Sequence, residues 1–139
     1  MKKMREIKFR AWDASENKML YQKEVAIALD GSLHLASLYD WYHTFNDNKG
    51  HAIDWLKIMQ CIGLKDKNGK EIYEGDILRF EDSTLVQVVF VDCSARFAAV
   101  PLDTKKHGSA EWTIGGERYE IVGNICEDLE LMIVSHTLV

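Results

Sequence analysis

The first regular hydrophobic pattern runs over residues 5–13. Ile7, Phe9 and Ala11 fall on one side of an extended chain, and Glu6, Lys8, Arg10 and Trp12 on the other. A period of two marks a strand, because successive side chains point to opposite faces. The turn cluster Asp13-Ala14-Ser15-Glu16-Asn17 leads into Met19-Leu20-Tyr21, which reads as the returning strand of a hairpin. Asp30-Gly31 lies between apolar residues 25–29 and 33–35 and supplies the two positive φ values of a tight hairpin. An aromatic patch follows: Tyr39, Trp41, Tyr42 and Phe45, with Trp55 soon after. Residues 54–62 fit a helical stripe through Ile53, Leu56 and Met59, or a strand face through Leu56, Ile58, Gln60 and Ile62. The β-branched residues and Gly63 favour the strand.

Strand and turn signals continue to the end. Residues 64–72 form a second hairpin pattern, with Asn68-Gly69 at its tip. Tyr73-Glu74-Gly75-Asp76 is a sharp corner that launches residues 77–80. Val86, Val88, Val89, Phe90 and Val91 are too dense to alternate, which predicts a strand buried on both faces. Residues 97–102 make a further strand, ended by Pro101 and the polar loop at residues 103–108. Residues 112–114 and 119–125, around Gly115-Gly116, read as a last hairpin. Residues 127–131 allow one helical turn. Many short strands with turns between them predict an all-β fold with minor helix, an antiparallel sandwich or small barrel. The expected organisation is one domain over residues 1–139. Within it, a seam near residues 62–70 would separate an N-terminal lobe (1–62) from a C-terminal β-barrel lobe (63–131), followed by an apolar tail (132–139).

Composition narrows the class without naming a function. The 139 residues are 47% hydrophobic and 28% charged, with one proline and nine glycines, which excludes disordered and low-complexity chains. The net charge of -5 makes a general coating of nucleic acid or anionic membrane a poor expectation. Yet residues 1–10 carry a local +4 and residues 106–139 a local -4. These ends can pair within one fold or, more sharply, between chains assembled head to tail. Cys61, Cys93 and Cys126 are far apart, form no CxxC, and sit among apolar neighbours. They read as free buried thiols in a reducing compartment. The basic start runs into no apolar segment of the signal-peptide kind, and no run suits a membrane span, so a cytoplasmic protein without membrane partners is expected.

Five blocks in order resemble the YopX family of phages and prophages. They are Ile7-Lys8-Phe9-Arg10-Ala11-Trp12-Asp13 with Met19 and Tyr21; Met59-Gln60 with the unbroken stretch from Gly63 to Ile72; Tyr73-Glu74-Gly75-Asp76-Ile77; Gln87-Val88-Val89-Phe90 with Phe97; and Ile121-Val122-Gly123-Asn124-Ile125 with Glu127 and Leu131. The likeness covers about residues 5–131. Cys61-Ile62 departs from it, since the family usually carries an aromatic and a threonine there. The resemblance implies a mainly β protein whose C-terminal lobe is SH3-like, and a small cytoplasmic product of a phage or prophage. It brings no catalytic residues.

The residues themselves favour architecture over chemistry. Asn68, Gly69, Glu74, Gly75, Asp76, Gly123 and Asn124 read as turn and bulge residues, because glycine supplies unusual backbone conformations and Asp or Asn bonds nearby N–H groups. Glu74, Asp76 and Glu120 are the carboxylates an enzyme would draw on, but nothing in sequence brings them together. The five histidines fit no metal spacing, so no catalytic residue, metal or cofactor is expected. Lys8, Arg10, Trp12, Lys65, Lys67 and Lys70 are candidate nucleic-acid contacts, with Trp12 a stacking surface. Tyr39, Trp41, Tyr42, Phe45, Leu131 and Ile133 are candidates for a protein interface, the aromatics among them equally suited to a core. The leading expectation is a non-enzymatic accessory protein that acts through protein contacts, as a homo-oligomer or with a host or phage protein. Nucleic-acid binding through the basic first strand and the barrel is the alternative.

Overall fold

In a computed structural model, residues 6–14, 16–21, 25–27, 33–37, 40–44, 56–108 and 110–132 are described. The chain forms two compact units: Lys8–Gln60, and Met1–Ile7 together with Cys61–Val139. Almost all regular structure is antiparallel β, as the periodicity predicts.

In the first unit, β1 (Phe9–Asp13) pairs with β2 (Lys18–Leu20) and with the first half of β6 (Leu56–Lys65). The Asp13 carboxylate accepts a hydrogen bond from the Glu16 N–H at 3.3 Å, which shapes the β1–β2 turn. Ala11 and Leu20 are buried, with Ile58 packed against them. Because β1 is a central strand, its polar face does not stay wet. Arg10, expected opposite the apolar side, is only 4% exposed, and one guanidinium nitrogen lies 3.9 Å from Met59 Sδ. From Leu56 onward, the ambiguous segment at residues 54–62 is strand, and it extends to Lys65. A separate ladder in this unit joins β3 (Val25–Ile27), β4 (Leu33–Ser37) and β5 (Asp40–Thr44) in that order. The β3–β4 pairing matches the hairpin read from sequence; its Asp30-Gly31 tip lies outside the described residues.

The second unit starts with the other half of β6, which pairs with β7 (Glu71–Tyr73) through Cys61 and Lys65. A four-stranded sheet follows in the order β10-β9-β8-β11, from β8 (Asp76–Phe80), β9 (Leu85–Val91), β10 (Arg96–Pro101) and β11 (Tyr119–Asn124). One core joins Ile72, Leu78, Val86, Val88, Ala99, Ile114 and Tyr119, with Ile62, Phe80, Trp112 and Ile121 against it. Phe80 is the aromatic hinge of this core, its ring centroid 5.6 Å from Trp112 and 5.0 Å from Tyr119.

Three expectations are corrected here. β9 alternates after all: Val86 and Val88 are fully buried, their neighbours half-buried and Phe90 exposed, so the dense valine run reflects one covered and one partly covered face. Residues 112–114 and 119–125 do not form a hairpin. Trp112 makes an isolated bridge to Ala99 of β10, a 3-10 turn (Gly116–Arg118) follows, and β11 pairs instead with β8 at the opposite side of the sheet. Turn residues at Gly115-Gly116 cannot by themselves say which strand the chain reaches next. The bridge also serves β10. It occupies the N–H and C=O of Ala99 at 2.9 and 2.7 Å, and Pro101 has no N–H, so this edge offers little to an added strand. Finally, the thiols are not all buried: Cys61 is, Cys126 is half-buried and Cys93 is exposed in the 3-10 turn between β9 and β10.

Candidate functional site

The polar residues of the central blocks converge where the β6–β7 hairpin lies against β11. Asp66 is 5% exposed, yet its carboxylate is filled by backbone donors. Oδ1 accepts from the N–H of Asn68 and of Lys70, both at 2.9 Å, and Oδ2 accepts from Ile121 N–H at 3.0 Å. Lys67 N–H donates to the Tyr119 carbonyl at 2.9 Å. One side chain and one peptide therefore stitch the hairpin to a strand more than fifty residues away. Burial alone would push the Asp66 carboxyl up; the bonds from Ile121, Lys70 and Asn68 outweigh it and hold the group below its usual value. Gly116 completes the clasp. A β-carbon there would overlap the Lys65 carbonyl, so only glycine lets these two segments touch.

The corner after β7 is closed in the same way. Gly75 has φ +88°, its N–H donates to Val88 carbonyl at 2.9 Å and its carbonyl accepts from Ile125 at 2.9 Å. Asp76, 2% exposed, accepts from Tyr73 N–H at 2.8 Å. At the end of β11, Asn124 Oδ1 accepts from Cys126 and Glu127 N–H at 3.0 and 2.8 Å, while Asp128 Oδ2 accepts from Asn124 N–H at 3.0 Å. Gly123 stands beside the register shift of β11, and a β-carbon on it would lie 2.6 Å from that Asp128 oxygen. Asp66 and Asp128 carry these arrangements, and the sequence reading had missed both as anchors. The Asp-x-Asn-Gly spacing at residues 66–69 holds the signal for the first, since an Asp two residues before such a tip can accept the N–H two residues on.

Outside the clasp, charge is paired in the open. Arg79 donates to Glu120 at 2.5 Å, Lys67 lies 3.4 Å from the same carboxylate, Arg96 meets Glu111 at 2.7 Å and Arg118 meets Glu81 at 3.2 Å. Arg118 also stacks 4.7 Å over the Phe80 ring. The Arg79 bond, helped by Lys67, keeps the half-buried Glu120 carboxyl below its usual value against the opposing pull of desolvation. Of the three carboxylates considered for catalysis, Glu120 is with Arg79 and Lys67, while Asp76, which accepts from Tyr73 N–H, and half-buried Glu74 share the corner after β7. Among the described residues, no three of His, Cys, Asp and Glu are grouped as a metal site requires.

The other candidates fall in both units. Lys65, Lys67 and Lys70 are exposed in the second unit, whereas Lys8, Arg10 and Trp12 belong to the first, with Arg10 buried and the other two half-buried. Leu131 is half-buried beside Gly123. Tyr39, Phe45, Ile133 and the side chains of Trp41 and Tyr42 lie outside the described residues. An aromatic pair outside those interface candidates stands on the β9–β10 hairpin: Phe90, 43% exposed, packs edge-on against Phe97 with centroids 5.3 Å apart.

No helix among the described residues is long and apolar enough to cross a membrane. No curated protein matches the chain. A solved structure, the crystal structure of protein EF1440 from Enterococcus faecalis, is similar at 26% identity with a TM-score of 0.62, over 91% of this chain and 97% of that one. The family model described as "YopX protein" matches residues 8–133, a span that includes β1, the whole Asp66 clasp and the Asn124 turn. On that match over nearly its full length, the chain belongs to the YopX family.

Proposed function

We propose that this protein is a phage- or prophage-type accessory protein that works in the bacterial cytoplasm through protein contacts, with a second copy of itself as first partner. The observation that carries this reading is the use made of the aspartates in and beside the family blocks. Asp66, Asp76 and Asp128 each accept backbone N–H groups of their own fold, so the most distinctive blocks of the sequence serve to hold a surface in shape. On the β9–β10 hairpin of the same unit, exposed Phe90 packed on half-buried Phe97 has the composition of a contact hot spot. Arg96 and Glu111 carry opposite charges on the same hairpin's flank, a pattern that suits an identical copy. Sedimentation at micromolar concentration tests the proposal. The expected result is a species heavier than the monomer that Phe90→Ser shifts to monomer without changing the melt. A monomer at every concentration would overturn it. A monomer that instead gives a salt-sensitive mobility shift with nucleic acid, weakened by charge removal at Lys65 and Lys70, would establish the alternative reading.

A further inference from the structure

The tip of the β6–β7 hairpin is Asn68-Gly69, a sequence intrinsically prone to losing its side-chain amide. The glycine nitrogen approaches the neighbouring Asn Cγ without obstruction from a side chain. In that reaction Gly69 N bonds to Asn68 Cγ and closes a succinimide. The Cγ–Nδ2 bond breaks, and the amide leaves as ammonia with the proton from Gly69 N–H. Water then opens the ring to aspartate or isoaspartate.

Here the attacking nitrogen is engaged. Gly69 N–H donates to the Asp66 carbonyl at 3.0 Å, and Asp66 N–H donates to the Lys70 carbonyl at 2.8 Å. The Asp66 carboxylate grips Asn68 and Lys70 from the side and is itself fastened to Ile121. Space is not the obstacle: Asn68 is exposed, and nothing lies within 4 Å of where a Gly69 β-carbon would stand. What holds the reaction back is hydrogen bonding. For Gly69 N to reach Cγ, its bond to Asp66 must break and the turn must rotate. We propose that Asn68-Gly69 is a hydrolytic deamidation site held off by the Asp66 clasp, with water as the only co-reactant and opening of the hairpin as the gate. The change would weaken its own brake. A new carboxylate at position 68 repels Asp66, and isoaspartate lengthens the backbone between the two N–H groups that Oδ1 now bridges.

The test follows amide loss at residue 68 of the full chain by peptide mass analysis, at neutral pH. The expected rate in the native protein is at least about tenfold below that of the same chain in denaturant, the ratio given by one intramolecular hydrogen bond near the upper end of its ordinary net contribution. Folded Asp66→Ala should lose the Asn68 amide faster than the parent. Asp66→Asn should fall between them, because its oxygen still accepts from residues 68 and 70 while its NH2 cannot accept from Ile121. Equal rates in native and denatured chains would overturn the proposal, as would a folded Asp66→Ala as slow as the parent. Should Asp66→Ala not fold, Asp66→Asn and the native-to-denatured ratio decide.

Discussion

Asp66 and Glu120 lie on neighbouring segments of the same unit, and both are held below the ordinary carboxylate range, for opposite reasons. Asp66 is buried and its bonds come from three peptide N–H groups fixed by the fold. Glu120 is half-buried at the surface, and its bonds come from the long, exposed side chains of Arg79 and Lys67. Two groups that titrate in the same direction therefore differ in structural weight. Fixed donors need little further ordering, and losing the acceptor leaves them unmatched. Exposed cations return to water, and their pairing is screened by salt.

The largest expected effect tests whether close approach defines the clasp. Gly116→Ala places a methyl in the Lys65 carbonyl and should destabilise by more than about 3 kcal/mol, because backbone must move. Gly115→Ala, with nothing within 4 Å of the new carbon, should stay within about 0.5 kcal/mol. Denaturant midpoints of the pair decide this; equal values would mean that the segments around Lys65 and Gly116 are not held together.

Next in size, Asp66→Ala should cost roughly 2–4 kcal/mol, read from chemical unfolding, as three N–H groups lose a charged acceptor. Gly123→Ala should cost less, about 1–2 kcal/mol, since the Asp128 and Leu131 side chains it meets can turn aside.

The comparison also has a pH arm. The native Asp66 carboxyl lies below its unfolded value of ~3.9, so the native state binds fewer protons around that pH. Its contribution is complete above the unfolded pKa and is lost as pH falls through the lowered native value. Thermal melts from neutral to acid pH should show a decline in that window that is shallower in Asp66→Asn. Smallest of all, Glu120→Gln should leave the melting midpoint at physiological salt unchanged. A clear drop there, cancelled by high salt, would place the surface pairs on a level with the clasp.

Much of this was readable from the chain. Alternation at Phe9 and Ala11, the Asn68-Gly69 tip and the Glu74-Gly75-Asp76 corner each specify local backbone, and the strands and bends occur there, whereas Ile7 of the same alternation precedes β1 and is 65% exposed. What failed was long-range or depended on cover. The exposure of Phe90, the burial of Arg10 and the pairing of β11 with β8 rather than with residues 112–114 have no local signal. The burial of Asp66 is equally hidden along the chain, because Ile121, whose N–H offsets that burial, is distant in sequence.

The sequence by itself determined the β class, most turns and the family, because hydrophobic period, glycine placement and motif order are properties of neighbours along the chain. Only the tertiary structure decided which carboxylate is a brace and which a surface ion, which glycine is indispensable, and which aromatics meet solvent. Those depend on what lies across the fold, where a hydrogen-bond donor or a carbonyl from a remote segment sets the local environment.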